Sequence, residues 1–180
     1  MILTEIEYKA YLETHLELLY FVGIQSKFFD SDFSFDQFRK LDYTVKLECR
    51  DTLLSDMKLL DDYLSSNINS LTKEKIAILK GFKKSITGEF VILKCLTSYA
   101  IFNSVDDNKF YAVKALSDGF DDFYDRFPVL VNATILPFNG QIIYDGFLET
   151  SDITFGPGMK SDMNEDYKQA KKNNQIVMTL

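Results

Sequence analysis

The hydrophobic period of the chain changes near residue 88, and that change limits the possible fold more than any other feature. Before it, apolar residues recur every three or four positions, as one face of a helix requires; after it they alternate, as a strand requires. Leu12, Leu16 and Leu19, with Glu13 and Glu17 on the other side, predict an amphipathic helix over residues 2–22. Leu53, Met57, Leu60 and Leu64 form one stripe, with Arg50, Asp56, Lys58 and Asp62 off it, and predict a second helix over residues 43–64. Residues 30–42 between them read as a loop or short turn. Ile78, Leu79, Phe82 and Ile86 predict a third helix over residues 72–86, with Gly88 as its stop.

Beyond the switch, β-branched and aromatic residues predict strands over residues 90–96, 99–103 and 109–116. Asn139 and Gly140 then separate two strand-like runs over residues 129–147. Both residue types tolerate positive φ, so a hairpin with a two-residue type I′ turn is expected. After Gly156, Pro157 and Gly158, a helix is predicted over residues 162–172, with Asp162 and Glu165 spaced as a capping box and a basic last turn. These elements define an α+β fold in which N-terminal helices pack on a C-terminal antiparallel β-meander, a small barrel being its closed variant, followed by a short C-terminal helix. No linker is long enough to divide the chain into separate domains. The expectation is one domain, 1–180, with a helical half 1–87, a β-rich half 88–156 and a C-terminal helix 161–173.

A chain of 180 residues can bury roughly 70% of its unfolded surface, and 16 Phe and 10 Tyr supply the bulk to do so, which excludes a mostly disordered protein. The 27 acids outnumber the 20 bases, for a net charge of −7. That balance disfavours nucleic acid and anionic membranes, both of which attract Lys and Arg, and leaves a basic protein partner open. The longest uncharged run, residues 127–144, holds Pro128, Asn132, Pro137, Asn139 and Gly140, so it reads as a hairpin rather than a membrane span. Glu5, Glu7, Glu13 and Glu17 interrupt the N-terminal apolar stretch, so no secretory leader is read there. Cys49 and Cys95 are then expected as reduced thiols in a cytoplasmic protein.

Four positions on the predicted hairpin attract functional readings. Counting outward from the turn places Thr134 opposite Asp145 and Asn132 opposite Phe147, so Asn132, Thr134 and Asp145 share one face. On the opposite face Tyr144 lies across from Ile135 and Ala133 across from Gly146, with Tyr144 a further candidate for positioning a ligand. Such a polar cluster suits a ligand or partner, with Asp145 the candidate acid–base group; an ordinary solvent-facing side is the competing reading. The aspartates of the segment 117–127, Asp118, Asp121, Asp122 and Asp125, fit a short helix with Asp118 as N-cap and Phe120, Phe123 and Phe127 as its buried edge. Lys73, Lys80, Lys83 and Lys84, with Lys75 nearby, form the basic patch of an acidic chain, able to touch phosphate or simply to be solvated. His15, Cys49 and Cys95 are the entire His and Cys inventory and stand far apart in sequence. No metal site and no cofactor is therefore expected.

The string LPFNGQIIYDG at residues 136–146, preceded by FPVLV at 127–131, resembles a hairpin of uncharacterised bacterial proteins. The likeness extends over residues 88–172, taking in Phe155, Gly156, Glu165 and Tyr167. It implies the same β-rich fold and no established activity. Some members of that group carry a cysteine-rich metal module that has no counterpart here.

The function read from these features is a non-enzymatic protein-binding or regulatory module, in keeping with a mobile-element or stress-system origin, presenting an acidic surface to a basic protein. The alternatives are a carboxylate-dependent hydrolase-like enzyme using Asp145, and a weak nucleic-acid binder using the Lys73 to Lys84 face.

Overall fold

The computed structural model describes residues 2–30 and 32–180, and the chain divides into two compact units. Ile6–Lys83 form a helical unit. The segments on either side of it, up to Glu5 and from Lys84 on, form a sheet unit.

Among the described residues the helical unit holds α1 (Glu5–Gln25), α2 (Phe35–Arg39), α3 (Tyr43–Ser55), α4 (Lys58–Asn67) and α5 (Lys73–Phe82). On α1 the buried face runs through Tyr11, His15, Leu18, Leu19 and Val22, one position round from the predicted Leu12 and Leu16, which are half-buried. Leu53, Leu60, Leu79, Phe82 and Phe38 complete the core. Two boundaries differ from those the sequence predicts. The predicted helix over 43–64 is two helices, because Asp56 leaves the helical conformation and its Oδ1 accepts the Lys58 N–H (3.1 Å), ending α3 and starting α4. The predicted 30–42 loop contains α2, closed by a capping box: Gln37 N–H donates to Ser34 Oγ, and Ser34 N–H donates back to Gln37 Oε1. Arg50, expected off the apolar stripe, is 2% exposed.

The sheet unit contains β1 (Ile86–Cys95), β2 (Ala100–Ser104), β3 (Phe110–Lys114), α6 (Phe120–Phe123), β4 (Val129–Phe138), β5 (Gln141–Thr150), α7 (Pro157–Lys172) and β6 (Ile176–Val177). Gly88 lies inside β1, paired with Ala133, so it stops no helix; α5 ends at Phe82. The hairpin turn is as expected, with Asn139 and Gly140 both at positive φ (47° and 75°) and Phe138 facing Gln141. The C-terminal helix starts earlier than expected. Pro157 occupies its first turn, where a missing N–H is harmless, and Asp162 falls within the helix.

The sheet is mixed rather than an antiparallel meander. β1–β2, β1–β4, β2–β3 and β4–β5 are antiparallel, while β3 runs parallel to β5 and to β6. The pairings therefore close a ring, β1–β2–β3–β5–β4–β1. Its β3–β5 seam is only two residue pairs wide, Val113 with Ile142 and Lys114 with Ile143, and the sheet is not a clear barrel. On the leading segment, Leu3 N–H donates to the Ala115 carbonyl (3.1 Å) and the Leu116 carbonyl (3.0 Å), adding Ile2 and Leu3 to this unit.

One aromatic chain fills one side of the strands: Phe90 packs on Phe102 and Tyr111, Phe102 on Phe120, and Phe120 on Tyr144, with ring centroids 5.1 to 6.1 Å apart. A second cluster, Leu93, Ile101 and Phe110 with Tyr167 and Ala170, seats α7 on β1, β2 and β3.

Candidate functional site

The hairpin residues do not assemble as a simple count predicts. Ile135 faces Tyr144 as expected, but Ala133 pairs with Leu148 and Asn132 with Glu149. Asp145, Gly146 and Phe147 bulge out opposite Thr134, with Gly146 at φ 102°. A bulge leaves a backbone donor without a ladder partner, and here Asp145 Oδ1 accepts the Phe147 N–H (3.0 Å). Asp145 is 1% exposed, so this carboxylate belongs to the way the strand bends.

The other three positions have separate surroundings. Thr134 is fully buried and its hydroxyl bonds that of Thr87 across the strands (2.9 Å). Tyr144 packs in the aromatic core against Phe120, 5.2 Å between centroids. Asn132 is exposed. Two surface cavities of the sheet unit are lined by other residues.

The basic residues are partly neutralised within the helical unit. Lys75 Nζ donates to both carboxylate oxygens of Glu17 (2.7 Å each), and Lys83 Nζ pairs with Asp61. Lys73 and Lys80 are exposed on α5, and Lys84 begins the sheet unit. Glu17 also receives the Tyr63 hydroxyl (3.5 Å); burial, then the Glu17 charge, push that phenol up to about 12.

Neither thiol of the chain is set up as a nucleophile. Burial, assisted by Glu48, pushes the Cys49 thiol up to about 11. Burial and Asp121 do the same to Cys95, so neither is an appreciable thiolate near neutral pH. His15 sits between the rings of Tyr11 and Phe82, 5.5 and 4.9 Å from their centroids, as a packing residue of the helical core. Among the described residues, no group of three or more His, Cys, Asp or Glu side chains is placed to hold a metal ion. No helix among them is long and apolar enough to cross a membrane.

Three features stand outside the expectations drawn from the sequence. On the segment 117–127, α6 is capped at Gly119, whose N–H donates to Asp122 Oδ2 (2.7 Å), rather than at Asp118. Phe120 is buried, but Phe123, expected on the buried edge, is 49% exposed. Asp118, Asp121, Asp122 and Asp125 surround it in sequence, and among the described residues none is in an ion pair. Second, a half-buried Lys94 lies 4.5 Å over the Tyr167 ring and donates to Asn164 Oδ1 (2.7 Å). Burial, with Lys168 and Lys171 nearby, lowers its pKa. Third, the loop after β5 returns to the start of β4 and borders an open cavity lined in part by Arg126 and Lys160. An exposed aromatic among acids was legible in the string DGFDDFYDR; the other two features join residues distant in sequence.

No family model matches this chain, and no curated protein or solved structure matches it significantly.

Proposed function

We propose that this protein is a binding module that presents an acidic, aromatic surface to a basic protein partner. The observation that carries the reading is Phe123: a large apolar side chain half in solvent on a four-residue helix, with Asp121 and Asp122 beside it and Asp118 and Asp125 at its ends. Exposed aromatics of this kind serve as interface anchors, and surrounding like charge sets the partner's sign and the encounter rate. The charge balance of the sheet unit suits that role, with 14 acidic against 9 basic residues. The raised thiols, the packed His15 and the structural use of Asp145 also support binding over nucleophilic or acid–base catalysis.

The ring order of the strands resembles the partly open five-stranded barrel of oligonucleotide-binding OB domains, whose ligands lie along strands 2 and 3. In this chain α7 packs on that region through Tyr167 and Ala170, which favours a surface elsewhere.

The test is affinity capture from lysate at physiological salt with the full chain and with Phe123→Ala and Asp121→Asn/Asp125→Asn variants, the retained protein being identified and its binding remeasured in purified form. The expected result is a basic protein whose binding falls with added salt and is lost in both variants. Retention that is indifferent to all three substitutions, or loss of binding as salt is lowered, overturns the reading.

A further inference from the structure

The cavity between the β4 entrance and the loop after β5 is independent of the Phe123 surface and has a different chemistry. We propose that it binds a small organic anion: an oxyanion head group, phosphate or carboxylate, carried on a short apolar body. Its volume is about 370 Å³, within the range of small-molecule sites, roughly 300–1,000 Å³.

The polar lining is cationic and hydroxylic. Arg126 comes from the segment before β4, Lys160 from the first turns of α7, and the hydroxyls of Ser151 and Thr154 from the loop between β5 and α7. Among the described residues neither Arg126 nor Lys160 is in an ion pair, in a chain whose acids outnumber its bases. Lys160 is half-buried, and a half-buried ammonium gains most from a counter-charge brought by a ligand. Asp152 is the lone acid of the lining, so the two cations leave the cavity net positive. Guanidinium, ammonium and hydroxyl groups are all donors to oxygen acceptors, so a lining that holds them selects an oxyanion. Val129 and Phe155 supply an apolar wall, which selects an organic anion over a bare inorganic one.

Backbone hydrogen bonds hold the loop and the helical turn that carry part of the lining. Ser151 N–H donates to the Leu130 carbonyl (3.0 Å) and Ile153 N–H to the Ser151 carbonyl (2.8 Å), tying the loop to the strand beside Arg126. Lys160 N–H donates to the Gly156 carbonyl (3.0 Å), placing its side chain on a formed helical turn. A backbone already held in place leaves less ordering entropy to lose on binding.

The experiment titrates isotope-labelled full-length protein with phenyl phosphate, benzoate and inorganic phosphate while recording amide shifts. The expected result is saturable shifts confined to residues 126–130 and 151–160 for at least one aromatic anion, bound more tightly than inorganic phosphate. The stronger of phenyl phosphate and benzoate names the head group. Arg126→Gln and Lys160→Gln should each weaken binding about tenfold, with spectra elsewhere superimposable on the parent, while Phe123→Ala leaves the affinity unchanged. No shift at these residues with either aromatic anion, undiminished affinity in both cation variants, or inorganic phosphate binding as tightly as the aromatic anions would each overturn the proposal.

Discussion

Replacing Gly23 by alanine tests whether the end of α1 is packed as tightly as the geometry requires. On helix propensity alone the change stabilises, by about 1 kcal/mol in a helix interior. Packing opposes it. A Cβ on Gly23 would stand 2.4 Å from Phe29 Cε2, 2.8 Å from Phe29 Cδ2 and 3.2 Å from Cys49 Sγ. The Phe29 ring has to move, and it is hemmed by a stacked Phe33 at 4.6 Å and an edge-on Phe38 at 5.8 Å. Overpacking a filled site costs about 1–3 kcal/mol, and each disturbed ring pair adds about 0.5–1.5 kcal/mol. The net expectation is therefore a loss of about 2 kcal/mol, read as a lower urea midpoint at unchanged slope by far-ultraviolet circular dichroism. The double-mutant cycle with Phe29→Leu isolates the cause: without the ring, Gly23→Ala should become neutral or stabilising. A single variant as stable as the parent, or additive losses in the double variant, refutes the steric argument.

Alkaline pH should destabilise the protein through the buried acids. Cys49 and Cys95 sit at about 11 against an ordinary 9.0, and Tyr63 at about 12 against 10.0, so the folded state favours their protonated forms. Their contribution is intact below pH 9 and lost as pH rises through 11 and 12, so the urea midpoint should hold to about pH 9 and then fall, steepest near pH 10–12; an unchanged midpoint at pH 11 contradicts the burial of these groups. Glu17→Gln should lower the Tyr63 pKa by removing the nearby negative charge, while burial keeps it above 10, measurable as a shifted phenolate absorbance titration. The same variant breaks the Lys75 ion pair and should lose about 1 kcal/mol of stability, read as a lower urea midpoint.

Much of the architecture was written in local patterns. The Asn139–Gly140 turn follows from two residues that accept positive φ, and the helices and strands either side of residue 88 follow from the change of period. Errors arose where a single residue outweighed the pattern. Asp56 lies off an apolar stripe that runs unbroken past it from Leu53 to Leu60, yet its side chain offers the backbone an alternative to helix. A straight count from the turn could not show that Asp145 turns its carboxylate onto the Phe147 amide and that a bulge at Gly146 shifts every pairing beyond it. Closure of the sheet was the least legible feature, because β3 finds β5 and β6 through parallel pairings of residues far apart in sequence. For the same reason the Arg126–Lys160 cavity has no sequence signature: its cations are 34 positions apart and meet only because a loop folds back on the β4 entrance.

The two backbone bonds from Leu3 bear on how the chain can be cut. Because the sheet unit takes residues from both sides of Ile6–Lys83, a protease that severs the chain between Lys83 and Lys84 does not free the helices from the strands; it leaves both pieces still stitched at Ala115 and Leu116. A fragment beginning at Lys84 is therefore a sheet unit without its leading-segment contact, and one ending at Lys83 carries that segment away from its partners. Severing the helical unit cleanly takes two cuts, one on each side, with the leading segment left behind on the sheet.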